Sequence, residues 1–333
     1  MRFRPTTFAA TALAVALVSS ACGSSGEQAG STSSASVTIS QANGTTEFPV
    51  GTEKRIVATG YSIDNLLALG IKPVALVQYG QEIPTPWQKG KLDGIPIIKS
   101  ADGKSLPVEE IAKYKPDLFA GDYYIMNKSN FDALSGVTKV LGGIAADGEA
   151  AGWKAQLEAL GKILGLESKV KEIEAADTAN VERLAKKYPG LKGKTALVTQ
   201  YVANTSQFNL VSDPKDSANA LFASLGMTVP KAVRDNPSFK TGTEGGGRGF
   251  VSLELIPTIS ANFMAIFPSG ATAADLDKLP GYATLPQVKS GATLVADRAT
   301  IVAMNQPSSL SRAWVLEKIE PQLETAAEQP AVP

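Results

Sequence analysis

From Lys54 to Leu323 the chain alternates short β-branched runs with helix-patterned segments, and the alternation stops once and then restarts. Strands that alternate with helices bury their apolar faces as a largely parallel sheet covered by helices, so the pattern admits few other folds. In the first run, "KRIVATG" reads as a strand. "YSIDNLLALG" reads as a helix with Ser62 as N-cap and Gly70 as stop. "IKPVALVQY" and "GIPIIKS" are strands, and "SLPVEEIAKYK" is a helix with Ser105 as cap and Pro107 early. "PDLFAG", "KSNFDALSG" and "VTKVLGG" follow as strand, helix and strand. The second run repeats this grammar. "KTALVTQYV" is a strand, "DPKDSANALFASLG" a helix, "GFVSLELIPTIS" a helix start, "ANFMAIFP" a strand, "GATLVADRATIVAM" a further strand region and "SSLSRAWVLEKIEPQL" a closing helix. Between the runs, residues 148–190 are helical almost throughout, with Gly165 as the break. Residues 167–188 as one helix would reach about 33 Å at about 1.5 Å per residue. The expected fold is α/β: two α/β lobes with central mainly parallel sheets, joined by one long bridging helix.

The first 22 residues read as an export signal. Arg2 and Arg4 precede the apolar stretch "FAATALAVALV", which is too short to span a bilayer. The chain's single cysteine, Cys22, follows small residues and opens a Gly/Ser-rich segment. This resembles a bacterial lipoprotein signal, whose cysteine takes a lipid and becomes the new N-terminus. Ser19 stands where that signal usually has leucine, and Ser19 with Ala21 also fits ordinary cleavage without a lipid. The resulting plan is a signal peptide at 1–22, a flexible tether at 23–49, an N-terminal lobe at 50–165, a bridging helix at 166–189 and a C-terminal lobe at 190–333.

Composition excludes several chemistries. There is no histidine, so histidine-based triads and histidine metal sites are out. One cysteine, already placed, leaves no cysteine site. GxGxxG, GxxxxGK[ST] and GxSxG motifs are missing. No enzyme, cofactor or resident metal is therefore expected. Basic and acidic residues balance at 32 each, and no basic stripe marks a nucleic-acid partner.

The phrases "KRIVATGYSIDNLLALGIKPVAL", "LPVEEIAKYKPDLFAG", "WKAQLEALGKILGLESKVKEIEA", "GFVSLELIP" and "LPGYATLPQVKSGATLVADRATIVAMNQPSSLSRAWVLEKIEPQL" occur in that order. Together they resemble the substrate-binding proteins of ABC importers for iron-siderophores, haem and cobalamin, over about residues 50–323. The resemblance implies cargo held in a cleft between the lobes and passed to a membrane permease by a monomer anchored through a lipid on Cys22. It also implies one acidic docking residue per lobe, and the matching positions are Glu109 and Glu254. A ferric siderophore is the first cargo reading, because the chain has no histidine with which to hold iron itself. Haem on a tyrosinate comes second and cobalamin third. A scaffold lipoprotein that kept the fold and lost the cargo is the rival.

In such sheets ligands meet the loops after the carboxyl ends of strands. Those loops carry Tyr61, Tyr79, Trp87, Tyr123, Tyr124, Tyr201 and Asn204. Aromatic rings with polar tips suit a bulky chelate. Arg248, in the glycine-rich "GTEGGGRGF", could pair with an anionic chelate. Asn305 and Ser309 precede the last helix, in a segment that the resemblance turns toward the cleft. Phe208, Phe267, Trp153 and Trp314 are read as packing residues.

Overall fold

The computed structural model describes residues 35–79, 82–101, 105–146, 149–150, 152–236 and 248–332. The signal, Cys22 and the glycine-rich loop before Arg248 lie outside the described residues.

The described chain opens with a hairpin of β1 (Ser36–Gln41) and β2 (Gly44–Pro49). This corrects the tether expected to run to residue 49, because Ile39 and Phe48 are buried in the core of the first lobe. That lobe continues through β3 (Ile56–Thr59), α1 (Tyr61–Ala68), β4 (Ala75–Gln78), β5 (Ile97–Lys99), α2 (Val108–Ala112), β6 (Leu118–Ala120), α3 (Lys128–Ser135) and β7 (Lys139–Leu141). Its sheet is wholly parallel, in the order β5-β4-β3-β6-β7. Its three central strands, β3, β4 and β6, are buried on both faces, which is why they read as continuous apolar runs. Ile56 and Ala58 meet Leu66 on one face, while Val57 meets Ile111 and Leu134 on the other.

After a two-residue pairing of β8 (Ala145–Ala146) with β9 (Glu149–Ala150) come α4 (Gly152–Leu164) and α5 (Glu167–Lys187). Gly165, at φ +68°, makes the break between them. The 21 residues of α5 span about 32 Å. Its two ends belong to different cores: Val170 packs in the first lobe, and Val181 and Leu184 pack in the second. That division is what makes α5 a bridge.

The second lobe contains β10 (Ala196–Val202), β11 (Gln207–Val211), α6 (Ser217–Ser224), α7 (Lys231–Arg234), β12 (Arg248–Ser252), β13 (Phe263–Ser269), α8 (Ala273–Leu276), α9 (Pro286–Lys289), β14 (Thr293–Val295), α10 (Arg298–Asn305) and α11 (Ser311–Glu328). Its sheet runs β12-β11-β10-β13-β14. The last three strands are parallel, while β11 and β12 are antiparallel. Alternate residues face opposite cores, Val198 toward Leu316 and Ile319 and Leu197 toward Met264. Asp177, midway along α5, pairs with Arg312 of α11 at 2.5 Å and with Lys154 of α4 at 3.4 Å.

Four local expectations change. Ser62 is not a cap, since the helix begins at Tyr61 and the Ser62 hydroxyl donates to the Gly121 carbonyl at 2.6 Å. Pro107, not Ser105, precedes α2, which is only five residues long. "GFVSLELIPTIS" completes edge strand β12 and continues as a 3₁₀ segment, Leu253–Ile259, with Pro257 inside it. "GATLVADRATIVAM" is a three-residue strand followed by α10, which Asp297 caps by accepting the Thr300 N–H at 2.7 Å.

Candidate functional site: an inter-lobe cleft

A cavity of about 240 Å³ lies between the carboxyl ends of the first lobe's strands and helix α10 of the second lobe. The chain enters it at Gly60, where β3 ends. Gly60 has φ +60°, and a Cβ there would stand 1.7 Å from Oδ2 of Asp122. Glycine is therefore required on two counts, its backbone conformation and the carboxylate beneath it.

Asp122 follows β6 and is 2% exposed. Its Oδ2 accepts the Tyr61 N–H at 3.3 Å, and its Oδ1 accepts the Tyr124 and Ile125 N–H groups at 3.1 and 3.2 Å. Desolvation pushes its pKa up to about 6, and the three backbone donors only partly oppose that rise. Asp64, in the first turn of α1, is equally buried. It accepts the Trp87 indole N–H at 2.7 Å, the Gln88 side-chain amide at 2.6 Å and the Ser308 hydroxyl. Burial pushes its carboxyl up to about 6 as well, again against its donors. An exposed acid at a helix start gains about 0.3–1 kcal/mol from the dipole. Removing an ion from water costs several kcal/mol, so the dipole alone does not account for a buried Asp64 and its donors must contribute.

The walls are aromatic. Tyr61, Tyr79, Trp87 and Tyr124 all line the cavity. Tyr61 is buried, and desolvation pushes its phenol pKa up. Trp87 sits on a 3₁₀ turn, Pro86–Gln88, and its ring lies 5.2 Å from that of Trp314 on α11. It is thus both a wall residue and a contact with the second lobe's core. From the second lobe come Arg298, Val302 and Gln306. Arg298 is exposed, and among the described residues it has no hydrogen-bond or ion-pair partner.

Tyr123, Tyr201, Asn204 and Asn305 do not line this cavity. Tyr123 stacks edge-on against Tyr124 at 5.7 Å. Tyr201 is buried against Phe208, because strand alternation turns it into the second lobe's core. Asn204 is exposed in the turn between β10 and β11. Asn305 ends α10, where its carbonyl accepts from Ser217. The backbone of Arg248 begins edge strand β12, and its side chain lies outside the described part of the structure. Among the expected packing residues, Phe208 and Trp153 are buried, Phe267 is half-buried against the second core, and Trp314 packs on Trp87. Sequence reasoning missed Asp64, Asp122, Arg298 and Ser308. Asp122 was within reach of the same strand-end rule that selected the tyrosines. Arg298 was hidden by reading its segment as strand.

Glu109 and Glu254 are both exposed, one on α2 and the other in the 3₁₀ segment. Glu110 pairs with Lys113 at 2.5 Å, whereas among the described residues Glu109 and Glu254 have no ion-pair partner.

Two lobes, a helical bridge and a cavity at the strand ends define a two-lobed binding protein. Residues 56–232 match the family model described as periplasmic binding protein, and the chain belongs to that family. It is similar to a probable siderophore-binding lipoprotein, YfiY, of Bacillus subtilis strain 168, at 30% identity over 199 residues. That match spans 59% of this chain and 59% of the relative. A solved periplasmic solute binding protein from Mycobacterium smegmatis superposes with a TM-score of 0.72 at 21% identity, covering 88% of this chain and 99% of that one. The Streptococcus pneumoniae protein PiaA in complex with ferrichrome gives 0.69 at 24% identity, covering 87% and 98%.

Proposed function

We propose that this chain captures a ferric siderophore in the inter-lobe cleft and delivers it to the permease of an ABC importer. The observation that carries the reading is the cavity itself, with aromatic rings on one lobe facing an arginine on the other that has no partner among the described residues. Rings supply flat apolar contact, and a free guanidinium recognises chelate oxygens. The chain has no histidine, so iron would arrive already held by its chelator. The names of the Bacillus relative and the ferrichrome-bound neighbour point the same way. Haem is the second reading, with the phenols of Tyr61, Tyr79 and Tyr124 on the cavity wall as its candidate iron ligands. Glu109 and Glu254 are the proposed docking acids, two carboxylates on separate lobes that suit two-point recognition by arginines. The protein would act outside the cytoplasm as a monomer, tethered through a lipid on Cys22.

Tryptophan-fluorescence titration against ferric siderophores, haem and cobalamin tests the reading, with Trp87→Phe as the control. Saturable quenching by ferric siderophores, reduced in the variant, is expected. Binding of only haem or cobalamin would replace the cargo, and binding of none would overturn the reading.

A further inference from the structure

Trp87 and Ser308 approach the same carboxylate from different lobes. The Trp87 indole and the Ser308 hydroxyl both donate to Oδ2 of Asp64, and Gln88 donates to its Oδ1. Asp64, Gln88 and Ser308 are each at most 2% exposed. Ser308 is itself held in place: its backbone N–H donates to the Ser311 hydroxyl at 2.8 Å, and its Oγ accepts the Ser311 N–H at 3.0 Å. Those bonds fix it to the start of α11. The two rings beside the carboxylate, Trp87 and Trp314, form a tilted pair with an interplanar angle of 52°.

A buried carboxylate with donors from both sides is costly to separate. Parting the lobes here would leave Asp64 with its first-lobe donors only, and would leave the Ser308 hydroxyl needing a new acceptor. Three of the groups that share this point, Asp64, Trp87 and Gln88, also face the cavity. The carboxylate that fastens the lobes is therefore the carboxylate that sets an aromatic wall.

We propose that Asp64 is a positioning residue for cargo capture, a clasp whose carboxylate holds the Trp87 ring on the cavity wall and ties it through Ser308 to the second lobe. The cargo role rests on the siderophore reading above; the clasp itself does not. Asp177 on the bridge pairs with Arg312 of α11 and with Lys154 of α4, a second tie across the lobes, so a loosened clasp is expected to leave the chain folded.

Two readouts test this on the whole chain. The first is the exciton couplet of the Trp87–Trp314 pair in circular dichroism without cargo, with Trp314→Phe as the zero. The second is affinity for ferrichrome as a ferric trihydroxamate probe. Ser308→Ala and Asp64→Asn should each lose at least about half the couplet and bind ferrichrome about tenfold more weakly, while unfolding cooperatively in urea. Tenfold is the loss expected when one hydrogen bond to a buried charge goes. A purely structural Asp64 would lower the urea midpoint without changing the couplet. Full couplets in both variants overturn the clasp. A lost couplet with unchanged affinity overturns its role in capture. If the wild type binds no ferric siderophore while the couplet behaves as expected, the cargo reading fails and the clasp stands as the fastening of the lobes. Should Asp64→Asn fail to fold, Ser308→Ala decides alone, because it leaves the carboxylate and both first-lobe donors in place.

Discussion

Replacing Asp122 with asparagine should change how stability depends on pH. Burial raises the Asp122 carboxyl from 3.8 to about 6 in the folded protein. The folded state therefore holds this proton more tightly than the unfolded chain does. The group's stabilising contribution is full below pH ~4 and is lost as pH rises through ~6. A rise from 3.8 to about 6 corresponds to about 3 kcal/mol, at about 1.36 kcal/mol for each pH unit. The asparagine of the Asp122→Asn variant would not titrate. It would keep the Tyr124 and Ile125 donors on its oxygen and set its amide against the Tyr61 N–H, at a pH-independent cost of about 1–3 kcal/mol. At pH 4 the variant is expected to be less stable than wild type by that cost. At pH 7 the relief of about 3 kcal/mol offsets it, leaving the variant equal or slightly more stable. Urea denaturation of both proteins from pH 4 to 7.5 measures the difference, in which Asp64 cancels because it titrates in both. A difference that stays flat within about 0.5 kcal/mol would refute the argument that burial, rather than the three donors, sets this group's proton affinity.

The remaining expectations concern packing, docking and recognition. Phe48→Ala should cost about 3–5 kcal/mol in urea denaturation, because the ring is wholly buried in the first lobe; unchanged stability would return residues 36–49 to the tether. Glu109→Ala and Glu254→Ala should each leave stability within about 0.5 kcal/mol and cargo affinity unchanged while lowering uptake by cells; normal uptake in the double variant would remove both as docking residues. Arg298→Gln should weaken ferric-chelate binding about tenfold to hundredfold with no shift in the urea midpoint, since this exposed side chain has no partner among the described residues to lose; full affinity would leave the arginine solvated at the cleft mouth.

The fold was legible where burial makes sequence uniform. Ile56–Thr59 and Leu118–Ala120 are covered on both faces, so every residue is small, apolar or β-branched and the strand stands out against its flanks. The bridge was legible because the strand–helix alternation stops before the long helical pattern of residues 148–190 and restarts after it, with Gly165 as the break. The hairpin Ser36–Pro49 was not, for the opposite reason. It buries little more than Ile39, Gln41 and Phe48, and its polar face continues the Gly/Ser composition before it. The dipeptide Asn43–Gly44 was the one local signal, since Asn-Gly favours a tight reversal, and the turn itself falls one residue earlier, at Ala42–Asn43, between the paired Gln41 and Gly44. Helix α10 was misread because β-branched residues on a mostly apolar segment suit either element, and the cap that decides is a single contact from Asp297 to Thr300.

For the site, the rule that ligands meet strand ends selects a ring of residues and says nothing about which lobe closes over them. It placed Tyr61, Tyr79 and Tyr124 on the cavity because the parallel sheet of the first lobe sends every strand toward the cleft. It put Tyr201 and Asn204 there too, although in the second lobe the cavity is approached by a helix rather than by strand ends. Charge was the larger omission. Asp64 reads as an ordinary acid at a helix start, and only a serine 244 residues away makes it an inter-lobe acceptor. No local pattern carries a contact of that sequence separation. The aromatic chemistry of a cleft can therefore be read from one lobe, while the groups that hold the cleft together emerge only when both lobes are folded against each other.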